Sequence, residues 1–130
     1  MALPSFHQFG IICQLLQPLY GSCAAVYPPT AFSPSALPVY PSPNNILDHA
    51  RKTKCRCLVT VPSFLVVWAQ SPTAVAYLRT LQLVAWSGGP LPQRIGDALV
   101  DAGIHLVNIY GGTEFGPISA VIPLEGDAKC

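Results

Sequence analysis

Leu106-Val107-Asn108-Ile109-Tyr110-Gly111-Gly112-Thr113-Glu114-Phe115-Gly116 decides how this 130-residue chain is read. It opens as a short apolar run rich in β-branched residues and breaks at two adjacent glycines. The run reads as a buried strand, Leu106 to Ile109, and the glycines as the loop that leaves its C-terminal end. Within five residues that loop carries an aromatic ring, bare main chain, a hydroxyl and a carboxylate. Tyr110 offers a flat face to a base, and Gly111 and Gly112 let a ligand approach the backbone. Thr113 and Glu114 supply hard oxygens of the kind that suit Mg²⁺ and phosphates.

Upstream lies a second glycine turn, Ser87-Gly88-Gly89-Pro90, between an apolar run at Gln82 to Trp86 and a helical pattern over Leu91 to Ala102. Leu91, Ile95, Ala98, Leu99 and Ala102 keep helical spacing, with Gln93, Arg94, Asp97 and Asp101 opposite and Gly103 placed to end the helix. Cys57 to Val61 reads as another short strand. Pro62 to Gln70 and Pro72 to Thr80 read as two helices with proline in the first turn, with Trp68 and Tyr77 as core anchors. Asn45 to Lys54 reads as a helix capped by Asn44 or Asn45, with Asp48 in its first turn and Arg51, Lys52 and Lys54 in its last. Near the start, Leu3 to Gly10 leads into an apolar helical segment, Ile11 to Leu16, that should stop before Pro18. Residues 18–43 hold Pro18, Pro28, Pro29, Pro34, Pro38, Pro41 and Pro43 at irregular intervals and read as connecting chain, with a short strand at Ala24 to Tyr27. Pro117 to Ile122 reads as one more strand.

The succession strand, helices, strand, helix, strand predicts an α/β fold with a parallel sheet and right-handed crossovers. In such sheets the loops at the strand C-termini share one edge, where ligands bind. Val61-Pro62-Ser63, Ser87 to Pro90 and Tyr110 to Glu114 should therefore form one site. The Ser87 to Pro90 loop is either main chain lying along a nucleotide or an ordinary strand-to-helix turn. It is neither G-x-G-x-x-G nor a P-loop.

The composition is 51% hydrophobic and 10% charged, against roughly 25% charged in ordinary soluble domains. Such a shortage of charge suggests a piece from inside something larger. A net charge of +1 leaves no basic footprint for nucleic acid. Five cysteines, at 13, 23, 55, 57 and 130, lack metal-type spacing and read as free buried thiols. No Lys or Arg precedes the apolar start, and no apolar run reaches the ~18 residues of a membrane span, so a cytoplasmic chain is expected.

Tyr110-Gly111-Gly112-Thr113-Glu114 resembles the Tyr-Gly-x-Thr-Glu signature of the adenylate-forming superfamily, which includes acyl-CoA synthetases, luciferases and the adenylation domains of nonribosomal peptide synthetases. Ser87-Gly88-Gly89-Pro90 and Phe6-His7-Gln8-Phe9-Gly10 are similar to two companion motifs of that family. The resemblance implies that Gly88, Gly89 and Pro90 lie along adenine, that Tyr110 stacks on it, and that Asn108 meets its amino group. It implies Thr113 at the α-phosphate, Glu114 on Mg²⁺, and Gly111 and Gly112 in the nucleotide loop. It places His7 beside the acyl pocket, whose variable walls would fall near Phe64, Val67 and Gly112. The implied reaction joins ATP and a carboxylic acid into acyl-AMP and pyrophosphate, then passes the acyl group to the thiol of CoA or of a carrier protein. The chain is also similar in character to fungal synthetase-like proteins that adenylate and then reduce an acid.

Enzymes of that family are several times longer. Residues 1–130 are accordingly expected to be an internal part of the large N-terminal AMP-binding domain. The Gly/Ser/Thr-rich phosphate loop with its lysine has no counterpart here, nor does the small C-terminal domain with its catalytic lysine. Gly126-Asp127 lacks the Tyr-x-Thr-Gly-Asp context of the ribose-binding aspartate. The isolated chain is therefore expected to be inactive, or else to serve as a non-catalytic nucleotide-binding or interaction module.

Overall fold

The computed structural model describes residues 7–21 and 40–121. The first stretch is helical throughout: α1 (Gln8–Ile11), a π-helical stretch (Ile12–Leu16) and α2 (Gln17–Gly21). The helix was expected to stop before Pro18, but it continues to Gly21. Pro18 sits in the first turn of α2, where a missing N–H costs little, and the wider π winding precedes it. The strand expected at Ala24 to Tyr27, most of the proline-rich connection and Ile122 lie outside the described residues.

The second stretch runs α3 (Pro43–Lys52), β1 (Cys57–Thr60), α4 (Pro62–Trp68), α5 (Pro72–Leu78), β2 (Leu83–Trp86), α6 (Gln93–Asp101), β3 (Leu106–Gly112) and β4 (Gly116–Val121). The cap of α3 is Ser42, not Asn44 or Asn45. Its hydroxyl accepts from Asn45 N at 3.3 Å while Asn45 Oδ1 accepts from Ser42 N at 2.8 Å, a reciprocal capping box. Starting at Pro43 moves Asp48 out of the first turn and leaves Lys54 beyond the end. Asp48 instead pairs with Lys52 at 2.7 Å on an open surface, worth only a few tenths of a kcal/mol. Ser42→Ala should cost about 1 kcal/mol of stability, read as a lower urea midpoint at unchanged m-value. No change in midpoint would show that the box is not formed.

The sheet order is β1-β2-β3-β4, with β1, β2 and β3 parallel and β4 antiparallel to β3. Leu58, Val84 and Leu106 meet Leu65, Trp68, Leu78 and Leu99 of the helices in one core. Trp68 is 1% exposed, donates its indole N–H to Pro43 O at 3.0 Å and stands edge-on to Phe64 at 5.8 Å. Tyr77 packs on the rim of this core under the Arg51 guanidinium, 4.8 Å from its centroid. Burial, reinforced by Cys55 and opposed by Arg51, pushes its phenol pKa upward. In α6 the buried positions are Gly96 and Leu99, while Ala98, expected inward, is exposed. Asp97, expected outward, is half-buried with Oδ1 enclosed and unpartnered. Gly103, with φ +83°, follows the helix as expected. Of the thiols, Cys55 is half-buried, but Cys57 is exposed. Among the described residues no helix is long and apolar enough to cross a membrane.

β3 does not end at Ile109 but runs through both glycines to Gly112, because β4 folds back and pairs with it. The glycines are thus the tip of a hairpin rather than a free loop.

Candidate functional site

Thr60, Trp86 and Asn108 are aligned across the three parallel strands. Beyond that line β1 and β2 give way to loops, tied together by Ser87 N donating to Thr60 O at 3.3 Å. β3 continues for four more residues, held only by β4. The β3–β4 hairpin therefore overhangs the C-terminal edge of the sheet, and α1 packs against β4. Between them is a cavity of about 340 Å³.

The hairpin contributes Ile109, Gly111, Gly112, Thr113, Gly116 and Pro117 to the cavity wall. The two other strand ends contribute Val61, Ser87 and Gly88, and the N-terminal helix contributes His7, Gln8 and Ile12. The three loops expected on one edge do converge there. Gly88, at φ +90°, holds a backbone conformation that side chains disfavour.

The glycine pair has a packing role of its own. A Cβ on Gly111 would stand 2.5 Å from Gly116 O and 2.8 Å from Pro117 Cα. One on Gly112 would stand 2.6 Å from the Phe115 ring. Register slips between Tyr110, opposite Ser119, and Gly111, opposite Pro117, so Ile118 is left over in a bulge on β4. Such bulges re-aim side chains at the rims of sites.

Of the residues singled out in the sequence, His7, Gly88, Gly111, Gly112 and Thr113 line the cavity. Gly89, Pro90, Asn108, Tyr110 and Glu114 do not, and all five are exposed. Strand alternation explains part of this division. Ile109 lines the cavity, and by alternation along the strand Asn108 and Tyr110, the latter 61% exposed, belong to the other face of β3. Glu114 sits in the turn between β3 and β4. Phe64 packs on Trp68, and Val67 is exposed; neither reaches the cavity, whereas Gly112 does.

Sequence reasoning gave Gln8 no role. With its amide turned so that the nitrogen faces the hairpin carbonyls, the Gln8 side chain donates to Gly112 O at 3.2 Å and to Thr113 O. It pins the N-terminal helix to the hairpin tip. The signal for it was indirect: carbonyls at a tight turn need donors, and Gln8 adjoins His7. Ile12, Val61, Ile109 and Pro117, the apolar walls, read in sequence only as ordinary apolar residues.

A protein-family model described as AMP-binding enzyme matches residues 1–130. The chain is 46% identical over 123 residues to the adenylate-forming reductase Nps11 of Serpula lacrymans var. lacrymans (strain S7.9), a match covering 93% of this chain and 11% of that protein. It is 32% identical over 124 residues to the adenylate-forming reductase Nps10 of Heterobasidion annosum, covering 95% of this chain and 11% of that protein. The chain thus spans about a tenth of the length of the curated relatives it matches. Among solved structures, a malonyl-CoA ligase complex with methylmalonyl-CoA and AMP bound superposes with a TM-score of 0.71 at 19% identity, over 93% of this chain and 25% of that one. The O-succinylbenzoate coenzyme A synthetase of Bacillus subtilis, in complex with AMP, superposes with a TM-score of 0.67 at 19% identity, over 93% of this chain and 23% of that one. At that identity the likeness establishes a shared fold.

Proposed function

The chain belongs to the AMP-binding enzyme family, and from that membership we propose that it forms part of the substrate site of an acyl-adenylating enzyme. In the reaction a carboxylate oxygen attacks the α-phosphorus of ATP, a new O–P bond forms, and pyrophosphate leaves. The acyl group then passes from acyl-AMP to the thiol of CoA or of a carrier protein. The observation that carries this reading is the convergence of Ser87, Gly88, Gly111, Gly112, Thr113 and His7 around one cavity at the sheet's C-terminal edge.

The cavity takes the body of the acid, flanked by His7. The nucleotide takes the outer face of the hairpin. There Tyr110 stacks on the base, Asn108 meets its amino group, and the open main chain of Gly88, Gly89 and Pro90 runs along it. Nothing lies within 4 Å of the Cβ positions of Gly88 and Gly89, which leaves room for that approach. The two ligands meet at the hairpin tip, where the Thr113 hydroxyl donates to the α-phosphate and offsets its growing charge.

Glu114 offers a hard carboxylate oxygen on an exposed turn, a donor that fits Mg²⁺. Among the described residues no three His, Cys, Asp or Glu converge. An ion held by one carboxylate draws its other ligands from phosphate and water, the usual habit of Mg²⁺. When bound, it neutralises phosphate charge.

Nucleotide binding tests the reading. AMP at about 100 times its Kd should stabilise the chain by about 2.7 kcal/mol, a rise of several degrees in Tm. Tyr110→Ala should remove about 1–3 kcal/mol of base stacking and most of that rise. A wild-type Tm indifferent to AMP and ATP overturns the assignment. Catalysis should be absent from a polypeptide of these residues alone. Among the described residues, no Lys or Arg stands in the cavity wall to stabilise the transferring phosphoryl group. Robust ATP–pyrophosphate exchange by the purified 130-residue chain would contradict that.

A further inference from the structure

We propose that the edge where β1, β2 and β3 begin, opposite the candidate site, is a docking surface for an acidic protein helix whose carboxylates are received by Lys54, Arg56 and Arg79. The surface is separate from the adenylation reading and does not rest on it. Of the six Lys and Arg among the described residues, five lie at this end. Arg51 and Lys52 stand in the last turn of α3, Lys54 and Arg56 on the way into β1, and Arg79 on the way into β2. The net charge of the whole chain is only +1, so the cations are gathered rather than abundant.

Two of the five have partners that account for them. Lys52 pairs with Asp48, and Arg51 donates to Thr73 O at 3.0 Å and lies over Tyr77. The other three are exposed, and no carboxylate of the described residues forms an ion pair with them. Arg56 instead forks onto a neutral acceptor: its Nε and Nη2 donate to Gln82 Oε1 at 3.1 and 2.7 Å. That contact holds the guanidinium at the entry to β2 with its charge uncompensated. Arg79 reaches the entry to β3, where its Nε stands 3.6 Å from the Cβ position of Gly103. His105, at the same entry, is tied through Nδ1 to Gln82 O at 3.0 Å. Lys54 holds a positive φ of +53°. It follows α3 in a Schellman turn, with Cys55 N donating to Ala50 O and its own N–H to Arg51 O. Glycine is usual at that position, and a lysine there costs backbone strain. Such strain persists where the side chain is used.

The arrangement favours carboxylates over phosphates. α3, α5 and α6 all end at this edge, so it presents helix carbonyls, whereas phosphate sites draw on helix N-termini. The segments that enter β1, β2 and β3 carry no aromatic ring to stack a base. A guanidinium fork matches a carboxylate. Neighbouring strand entries are about 4.8 Å apart, so three of them span about 10 Å. Glutamates at i, i+4 and i+7 share one helix face and also span about 10 Å, so one face meets all three cations.

The test uses two helical peptides of roughly 20 residues and a single composition, built on alanine and glutamine with three glutamates. In one the glutamates stand at i, i+4 and i+7; in the other they are spread around the helix. Each is titrated into the complete 130-residue chain and followed by ¹⁵N NMR. The one-faced peptide should bind about tenfold more tightly, with shifts at Lys54, Arg56, Arg79 and His105 and none at Gly111 to Thr113. Its affinity should fall as salt is raised. Arg56→Gln and Arg79→Gln should each weaken it severalfold. Lys54→Gly should weaken it too while raising Tm, a pairing that a merely structural lysine would not give. Binding of neither peptide, equal affinity for the two, shifts centred on the hairpin, or a Lys54→Gly variant that binds as wild type overturns the proposal. Tighter binding of a thymidine oligonucleotide or of phosphatidylserine vesicles overturns it as well and assigns the edge to nucleic acid or to a membrane.

Discussion

Gly111→Ala should abolish ligand binding at the cavity and destabilise the chain, whereas Gly89→Ala should do neither. The added methyl at position 111 meets main-chain atoms, Gly116 O at 2.5 Å and Pro117 Cα at 2.8 Å, so no side-chain rotation relieves the clash. Either β4 moves off β3 or the bulge at Ile118 reorganises, and both displace Thr113 and the carbonyls that hold Gln8. Overpacking of this kind costs about 1–3 kcal/mol, and more where backbone must move. At Gly89 nothing lies within 4 Å of the new atom, and a compatible Gly→Ala change is worth about 0.4–1 kcal/mol of stabilisation through the unfolded chain. Thermal melts of the two variants, with and without 3-phenylpropanoate as a probe carboxylic acid, separate the cases. Equal melts would show that the hairpin tip is not packed as described.

Trp68→Ala should be the most damaging single change to the core, at about 3–5 kcal/mol out of the 5–15 kcal/mol typical of a whole domain. The indole is 1% exposed, anchors α4 to the start of α3 through Pro43 O, and meets Phe64 edge to face. Trp68→Phe keeps an aromatic body but leaves that carbonyl without its donor, so its cost should fall between wild type and alanine. Urea unfolding gives both values. A Trp68→Ala loss under 1 kcal/mol would mean that α3 and α4 do not share this core.

The elements that were legible in the sequence are those whose signals are local. Proline at the first turn marked α4 and α5, short apolar runs marked β1, β2 and β3, and Gly103 marked the end of α6. The parallel order and the meeting of three loops followed from chain succession alone. What escaped depended on long-range pairing. β3 passes through two glycines because β4 hydrogen-bonds to them, a partner that no window around Gly111 reveals. The Ser42 cap was missed because Asn45 looked like a cap when it is the reciprocal member of the box. Pro18 looked like a stop because a π stretch ahead of it leaves no mark in sequence. In the site, motif residues were visible by type, but the division between Ile109 inward and Tyr110 outward required the pleat and the hairpin.

On the proposed reading, one hairpin separates an acid cavity from a nucleotide face and joins them at its tip. Titration with a non-hydrolysable adenylate of 3-phenylpropanoate, in which a sulfamoyl group replaces the phosphate, measures this directly by ¹⁵N NMR. Saturable shifts are expected at Gly88 and Gly89, at Asn108 and Tyr110, and at Gly111 to Thr113, all with one Kd. Shifts at the hairpin tip with Asn108, Tyr110 and Gly89 unmoved, or no saturable shift at all, would contradict it.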